Sequence, residues 1–180
     1  MRVVRSADAL EFRFRLDGRL DRLAVPPARA PERRDELWRH TCFEIFVRRA
    51  GEPGYAELNL SPSGAWAAYG FDAYRTGTRE LELVRPPALE IRCGEGRLEV
   101  ALRFAPLPEP WGRAEALRVA ASAVVENADG TLAHWALAHP AGAPDFHHPA
   151  GFVLELGTTC NGADVNVTPG GAPSRRSRHR

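Results

Sequence analysis

Apolar and polar side chains alternate over short runs in this chain, most clearly between residues 36 and 75. Two sets of alternating positions occur in the first run, an apolar set of Phe43, Ile45 and Val47, and a second set of Trp38, His40, Cys42 and Glu44. Successive side chains of a β-strand point to opposite faces of its sheet. The spacing therefore predicts a strand over residues 38–47, with one face in the core and the other bearing polar groups.

The next run repeats this arrangement. Leu58 and Leu60 alternate with Glu57, Asn59 and Ser61. If the two runs pair as a hairpin, one sheet face carries carboxylate, amide, hydroxyl and imidazole groups beside an indole ring. Such a face is suited to holding a polar ligand.

Similar strand patterns recur along the rest of the chain. The predicted strands are residues 10–16, 20–25, 81–84, 89–93, 98–104, 117–126, 131–138 and 151–156. The turn-forming sequence Asn-Ala-Asp-Gly at 127–130 predicts a hairpin between two of them, and no long segment has helical periodicity. About ten short strands separated by turns predict an all-β fold, an antiparallel β-sandwich of jelly-roll or immunoglobulin-like type with few or no helices.

Composition limits the domain count and the partners. The chain has 180 residues and a net charge of +1, which predicts one domain and favours neither nucleic acid nor a membrane as a partner. Cys42, Cys93 and Cys160 form no C-x-x-C pair, and no apolar leader is present at the N-terminus, so we expect reduced thiols and a cytoplasmic location. Residues 1–157 are predicted to fold, whereas the Arg-, Gly- and Pro-rich segment 158–180 is predicted to be a disordered tail.

Three phrases resemble the bacterial DOMON-like domains. They are W-R-H-T-C-F-E-I-F at 38–46, E-L-N-L-S-P-S-G-A-W-A-A-Y at 57–69, and H-W-A-L-A-H-P-A-G-A-P-D-F-H-H-P-A-G-F at 134–152. The similarity spans residues 2–157. That superfamily also contains the family-9 carbohydrate-binding modules and the haem-binding DOMON domains. The resemblance implies a ligand-binding β-sandwich, with sugars and haem as the two known ligand classes.

A sugar is the favoured ligand, held without a cofactor. Carboxylate and amide groups suit the hydroxyls of a sugar, and indole rings suit its C–H faces. We expect three tryptophans to stack on the sugar, Glu44 and Asn59 to bind its hydroxyls, and Asp145 and His147 to close the rim. The predicted ligand-binding residues are Trp38, His40, Glu44, Asn59, Ser61, Trp66, Trp135, His139, Asp145 and His147.

Two other functions remain open. The first is a haem-binding redox or sensor domain, with His40, His139 or His147 as ligands to the iron. Haem-binding relatives would be expected to supply an axial Met with a His or Lys, but the only Met here is Met1 and Lys is absent. The second is a module whose sheet face binds another protein.

No arrangement of residues predicts an enzyme. Cys42 with His40 is better explained as a small packed side chain on a strand than as a nucleophile with its base. Glu44 and Glu57 could form a carboxylate pair on adjacent strands, as in a glycosidase, but no nucleophile-elbow or metal-ligand motif accompanies them. We therefore expect a non-catalytic protein.

Overall fold

The computed structural model describes residues 1–157, 162–164 and 168–175, and in them the chain forms an all-β, sandwich-like fold, as predicted. Three 3-10 turns, Leu20–Arg22, Leu37–Arg39 and Pro149–Gly151, account for the helical residues of the described part. The strands are β1 Arg2–Arg5, β2 Leu10–Asp17, β3 Glu32–Arg33, β4 Cys42–Arg49, β5 Tyr55–Leu60, β6 Ala65–Phe71, β7 Arg79–Glu80, β8 Ala88–Gly94, β9 Arg97–Phe104, β10 Ala116–Glu126, β11 Thr131–Ala136, β12 Leu154–Gly157, β13 Gly162–Asp164 and β14 Thr168–Arg175.

The strands form two sheets. One sheet has five strands in the order β13-β1-β2-β9-β8. The other has nine strands, seven of them in the order β14-β11-β10-β4-β5-β6-β3, while β12 pairs with β10 and β7 pairs with β6. Pairing is antiparallel except between β3 and β6. None of the described residues belongs to a helix long and apolar enough to cross a membrane.

The two sheets share one hydrophobic core. Phe12 and Phe14 of β2 and Phe43, Ile45 and Val47 of β4 are buried in the same cluster. The rings of Phe14 and Phe43, one from each sheet, lie with their centroids 5.0 Å apart. This is the apolar face that the alternation of β4 predicts, and burial of such side chains is the main stabilising contribution to a fold of this kind.

The other face of the nine-stranded sheet is also covered. We call it the outer face; it bears Glu44 and Glu57. Residues 139–153, the covering segment, lie across part of it. Phe152 of this segment packs against Phe46, Tyr55 and other side chains of the sheet in a second, smaller apolar cluster. The polar groups of the outer face are therefore enclosed rather than solvated.

Two predicted strands are wrong, and the strands predicted from residues 38 and 151 begin later, at Cys42 and Leu154. Residues 20–25 contain a 3-10 turn, and Ala24 N there donates to Glu126 O, at the end of β10, at 2.8 Å. Residues 81–84 form no strand, whereas β7 precedes them. The strand predicted from residue 38 begins at Cys42, because Leu37–Arg39 is a 3-10 turn. Alternation over only a few residues does not distinguish a strand from a turn with one packed side.

The C-terminal segment differs from its prediction in part. Two stretches of the segment expected to be disordered are strands, β13 paired with β1 and β14 paired with β11. Both lie at sheet edges, where pairing uses backbone groups and requires few apolar side chains. The rest of 158–180, with Cys160, lies outside the described residues.

Candidate ligand-binding site

A cavity of about 420 Å³ lies between the outer face and the covering segment. We call it the outer cavity. Glu44 of β4 and Glu57 of β5 line it from the sheet, whereas Phe146 and His147 line it from the covering segment. Trp38, from the 3-10 turn before β4, completes part of the wall. Cavities of this size accommodate small organic ligands.

Strand register explains why the polar side chains meet. Glu44 lies opposite Asn59 on one side and opposite Ser122 of β10 on the other. Glu57 lies two residues from Asn59, so it shares the outer face. The predicted hairpin of two polar runs is thus confirmed, and β10 adds a hydroxyl to it.

Glu44 is buried without a cationic partner. Its side chain lines the outer cavity, yet the residue is only 3% exposed. The hydroxyl of Ser122 donates to Oε2 at 3.5 Å, and Oε1 has no hydrogen-bond partner among the described residues. Burial, together with the charge of Glu57, raises the pKa of Glu44 to about 8. At neutral pH this carboxyl therefore retains its proton.

Glu57 is held by neighbours on both sides. Asn59 Nδ2 donates to its Oε1 at 2.8 Å, and His147 Nε2 lies 3.6 Å from its Oε2. Burial raises the pKa of Glu57 to about 7, although the bond from Asn59 and the charge of Arg75 act in the opposite direction. Asn59, 1% exposed, thus acts from beneath the cavity by positioning Glu57.

His147 is neutral and oriented by a tyrosine. The hydroxyl of Tyr55 accepts a hydrogen bond from Arg75 N at 3.2 Å and lies 2.8 Å from His147 Nδ1. Burial, with the charge of Arg75, lowers the pKa of His147 to about 4. The Tyr55 hydroxyl proton is then available to Nδ1, which leaves the proton of the neutral ring on Nε2, the atom that faces Glu57.

An ion pair fixes the covering segment to the β6–β7 connection. Arg75 Nη2 lies 2.7 Å from Asp145 Oδ1, and the hydroxyl of Tyr74 donates to Asp145 Oδ2 at 2.5 Å. Burial alone would raise the pKa of Asp145, but the bonds from Tyr74 and Arg75 outweigh it and lower that pKa. Asp145 therefore acts on the cavity through Arg75, which lines it.

Aromatic rings form much of the remaining wall. Trp38, 41% exposed, meets Tyr69 edge to face with centroids 6.2 Å apart. The hydroxyl of Tyr69 donates to Asp35 at 2.6 Å, which orients that ring. Phe146 lies on the other side, 5.8 Å from the ring of His134. Burial lowers the pKa of His134, with a further contribution from His139.

The structure brings together about half of the predicted site residues. Trp38, Glu44 and His147 line the outer cavity, Asn59 supports Glu57, and Asp145 holds Arg75. These five were chosen from sequence alone.

The other predicted residues lie elsewhere. Trp66 and Trp135, expected to stack on the sugar with Trp38, instead pack against the core between the sheets and do not line the outer cavity. His40 and Ser61 line a second cavity, where His40 Nδ1 lies 2.8 Å from Glu126 Oε2. His139 lies beside Phe146, with ring centroids 6.4 Å apart.

Among the cavity residues that were not predicted are Tyr69, Arg75 and Phe146. A signal for Tyr69 does exist in the sequence. It follows Ala65 and Ala67 at spacings of two, so small side chains leave space beside the ring on one face of β6. Arg75 and Phe146 lie in irregular segments, where no periodicity indicates their direction.

The geometry bears on the haem, metal and thiol alternatives. His40 and His147 line different cavities. Within the described residues, no three His, Cys, Asp or Glu side chains are grouped so that they could hold a metal ion. Burial raises the pKa of the Cys42 thiol well above its ordinary value, which disfavours the thiolate that a nucleophile requires.

Comparison with protein-family models, with curated proteins and with solved structures found no match to this chain. The fold and the site together define a sandwich-like β-domain with a partly open cavity that is acidic on its sheet side and aromatic on its walls.

Proposed function

We propose that this protein is a non-catalytic binding domain that takes a carbohydrate or a sugar-containing metabolite into the outer cavity. The observation that carries the proposal is the pairing of buried carboxyls, Glu44 and Glu57, with a wall that includes Trp38 and Tyr69. A sugar has both hydroxyl groups and apolar C–H faces, so it matches both halves of such a cavity. The resemblance to DOMON-like domains supports the same class of ligand.

The protonation states favour hydroxyl recognition. With a pKa of about 8, Glu44 is mostly a neutral acid at neutral pH, so it can donate one hydrogen bond and accept others. Glu57, with a pKa of about 7, is present in both forms. Sugar hydroxyls also donate and accept, and the free acceptor Oε1 of Glu44 gives them a place to donate.

The position of Trp38 suits a stacking platform. It lies on a short turn rather than in the core, and its partial exposure leaves apolar ring surface to be covered. Tyr69 supports it edge to face. The rest of the cavity is largely pre-formed by the sheet, so binding requires little reorganisation.

Calorimetric titration of the purified protein with neutral mono- and disaccharides tests the proposal. We expect saturable binding, lost in Glu44→Ala and weakened about tenfold or more in Trp38→Ala, since stacking and desolvation of one indole contribute on that scale. The control is Glu126→Gln, a buried carboxyl of the second cavity, which should bind as the wild type does. Trp38 is exposed, so its loss spares the fold even if Glu44→Ala does not. No binding by the wild type, or unchanged affinity in Trp38→Ala, contradicts the proposal.

A further inference from the structure

We propose, resting on the function proposed above, that the sugar carries an ammonium group, and that Glu44 and Glu57 receive this cation beneath the aromatic wall of the outer cavity. The ligand is thus an amino sugar rather than a neutral one. Three features lead to this inference: carboxyls without a counter-charge, an acceptor without a partner, and rings suited to a cation.

The carboxyls lack a cation of their own. Among the described residues no arginine forms an ion pair with Glu44 or Glu57. Arg75 lines the outer cavity and its charge acts to lower the pKa of both carboxyls, but its ion pair, at 2.7 Å, is with Asp145. His147 lies near Glu57 but is neutral. Buried carboxyls are ordinarily paired or hydrogen-bonded throughout, so an enclosed pair without a partner cation leaves room for one supplied by a ligand.

The atom of Glu44 that lacks a hydrogen-bond partner among the described residues is an acceptor, which suits a ligand that donates. Glu44 Oε1 is an acceptor without a hydrogen-bond donor, on a side chain that is almost fully buried and lines the cavity. An ammonium group carries three donors and a positive charge. It can therefore satisfy Oε1 and remain close to Glu57 on the adjacent strand, whereas a hydroxyl brings one donor and no charge.

The walls favour an organic cation over a metal ion. Trp38, Tyr69, Phe71 and Phe146 line the cavity, and aromatic faces attract ammonium groups, most strongly when water is excluded. Calcium and magnesium instead require six or more oxygen ligands. A pair of carboxyls beneath aromatic rings is a poor arrangement for those ions and a good one for an amine.

Binding should then release protons. The titratable groups here are Glu44 and Cys42 on β4, Glu57 on β5, Arg75 from the β6–β7 connection and His147 of the covering segment. Near neutral pH, Glu44 and Glu57 are the members of this set that hold exchangeable protons. A cation beside them favours their ionised forms, so the proton leaves the carboxyl pair for the solvent as the ammonium enters. The released proton belongs to the pair rather than to one residue.

Calorimetric titration of the full chain with glucosamine, N-acetylglucosamine and glucose near neutral pH tests the inference. These sugars differ at one position, which bears an ammonium, a neutral amide or a hydroxyl. We expect glucosamine to bind at least about tenfold more tightly than either of the others. Repeating its titration in buffers of different ionisation enthalpy should reveal proton release. Glu44→Gln should abolish the preference and reduce the proton release, since Glu57 remains, and Glu126→Gln should preserve both.

The other outcomes separate this inference from the proposal on which it rests. Equal affinity for the three sugars overturns the ammonium inference and leaves sugar binding standing. Methylammonium binding as tightly as glucosamine would show that the sugar contributes nothing, so the proposed function fails although the cation site is correct. Binding by none of these probes overturns both. Retention of the preference in Glu44→Gln also overturns the inference, because the cation must then be held elsewhere.

Discussion

Replacing Glu44 by Gln should change how the stability of this protein depends on pH. The two side chains have nearly the same shape, but only the carboxyl titrates. In the folded protein the pKa of Glu44 is about 8, compared with 4.5 for an unperturbed glutamate. Between these values the folded state retains a proton that the unfolded state has lost. Stability therefore falls as pH rises through this window, and the loss is complete above the folded-state pKa.

The size of the effect follows from the shift. Each unit of pKa difference corresponds to about 1.4 kcal/mol, so the shift of Glu44 predicts a loss of roughly 5 kcal/mol between about pH 5 and about pH 9. The pKa of Glu57 is also raised, to about 7, so its titration likewise lowers the stability as pH rises. It remains in the variant, which should thus keep a weaker pH dependence. At low pH the wild type and Glu44→Gln should be similarly stable, and the variant should be the more stable of the two at high pH.

Urea denaturation at a series of pH values measures this directly. The free energy of unfolding is obtained by linear extrapolation at each pH, and the difference between variant and wild type is plotted against pH. Glu126→Gln controls for the loss of a buried carboxyl outside the outer cavity, because Glu126 is bonded to His40 instead. If the free energy of unfolding depends on pH in the same way in wild type and Glu44→Gln, the reasoning is refuted. Glu44 would then be solvated and would titrate with the pKa of an ordinary glutamate.

Two further predictions concern stability alone. Arg5 is buried and donates to three backbone carbonyls; Arg5→Met should cost about 3 kcal/mol or more in urea denaturation, because those carbonyls lose their charged donor. An unchanged midpoint would contradict this. Gly64 has φ +94°, and an added Cβ would lie 2.7 Å from a backbone oxygen. Gly64→Ala should thus lower the melting temperature more than Gly51→Ala, which has φ +83° but open space; equal losses would argue against the steric contribution.

The fold was predictable where alternation runs long enough. β2, β9 and β10 each carry seven or more residues with one apolar face, and the turn at 127–130 marks the hairpin that β10 forms with β11. β14 has eight residues but was missed because its segment is rich in Gly and Pro, whereas other missed strands are short: β3 and β7 have two residues each, and β1 has four. Over such lengths sequence periodicity carries little information, and pairing with a neighbour decides the structure.

The position of Trp66 shows how turn geometry sets the face of a side chain. Trp66 pairs with Leu60 across the β5–β6 hairpin, so it inherits the core face on which Leu60 lies. Ser61 N bonds to Ala65 O, and this bond closes the turn that fixes the pairing. A turn one residue longer or shorter could change the partner of Trp66, and a one-residue slip moves a side chain to the opposite face. Strand alternation alone therefore predicted the face of Glu44 and Asn59 but not that of Trp66.

What sequence alternation lacked was the cover over the outer face. Polarity along β4 and β5 indicates which side chains share a face, and an exposed face of that composition would give Glu44 and Glu57 the pKa of ordinary glutamates. The covering segment changes their chemistry, and it is fixed by Arg75 and Asp145, which are 70 residues apart. No local pattern specifies so distant a contact. The protonated carboxyl of Glu44, whose Oε1 has no hydrogen-bond partner among the described residues, is consequently a product of tertiary structure rather than of any local sequence pattern.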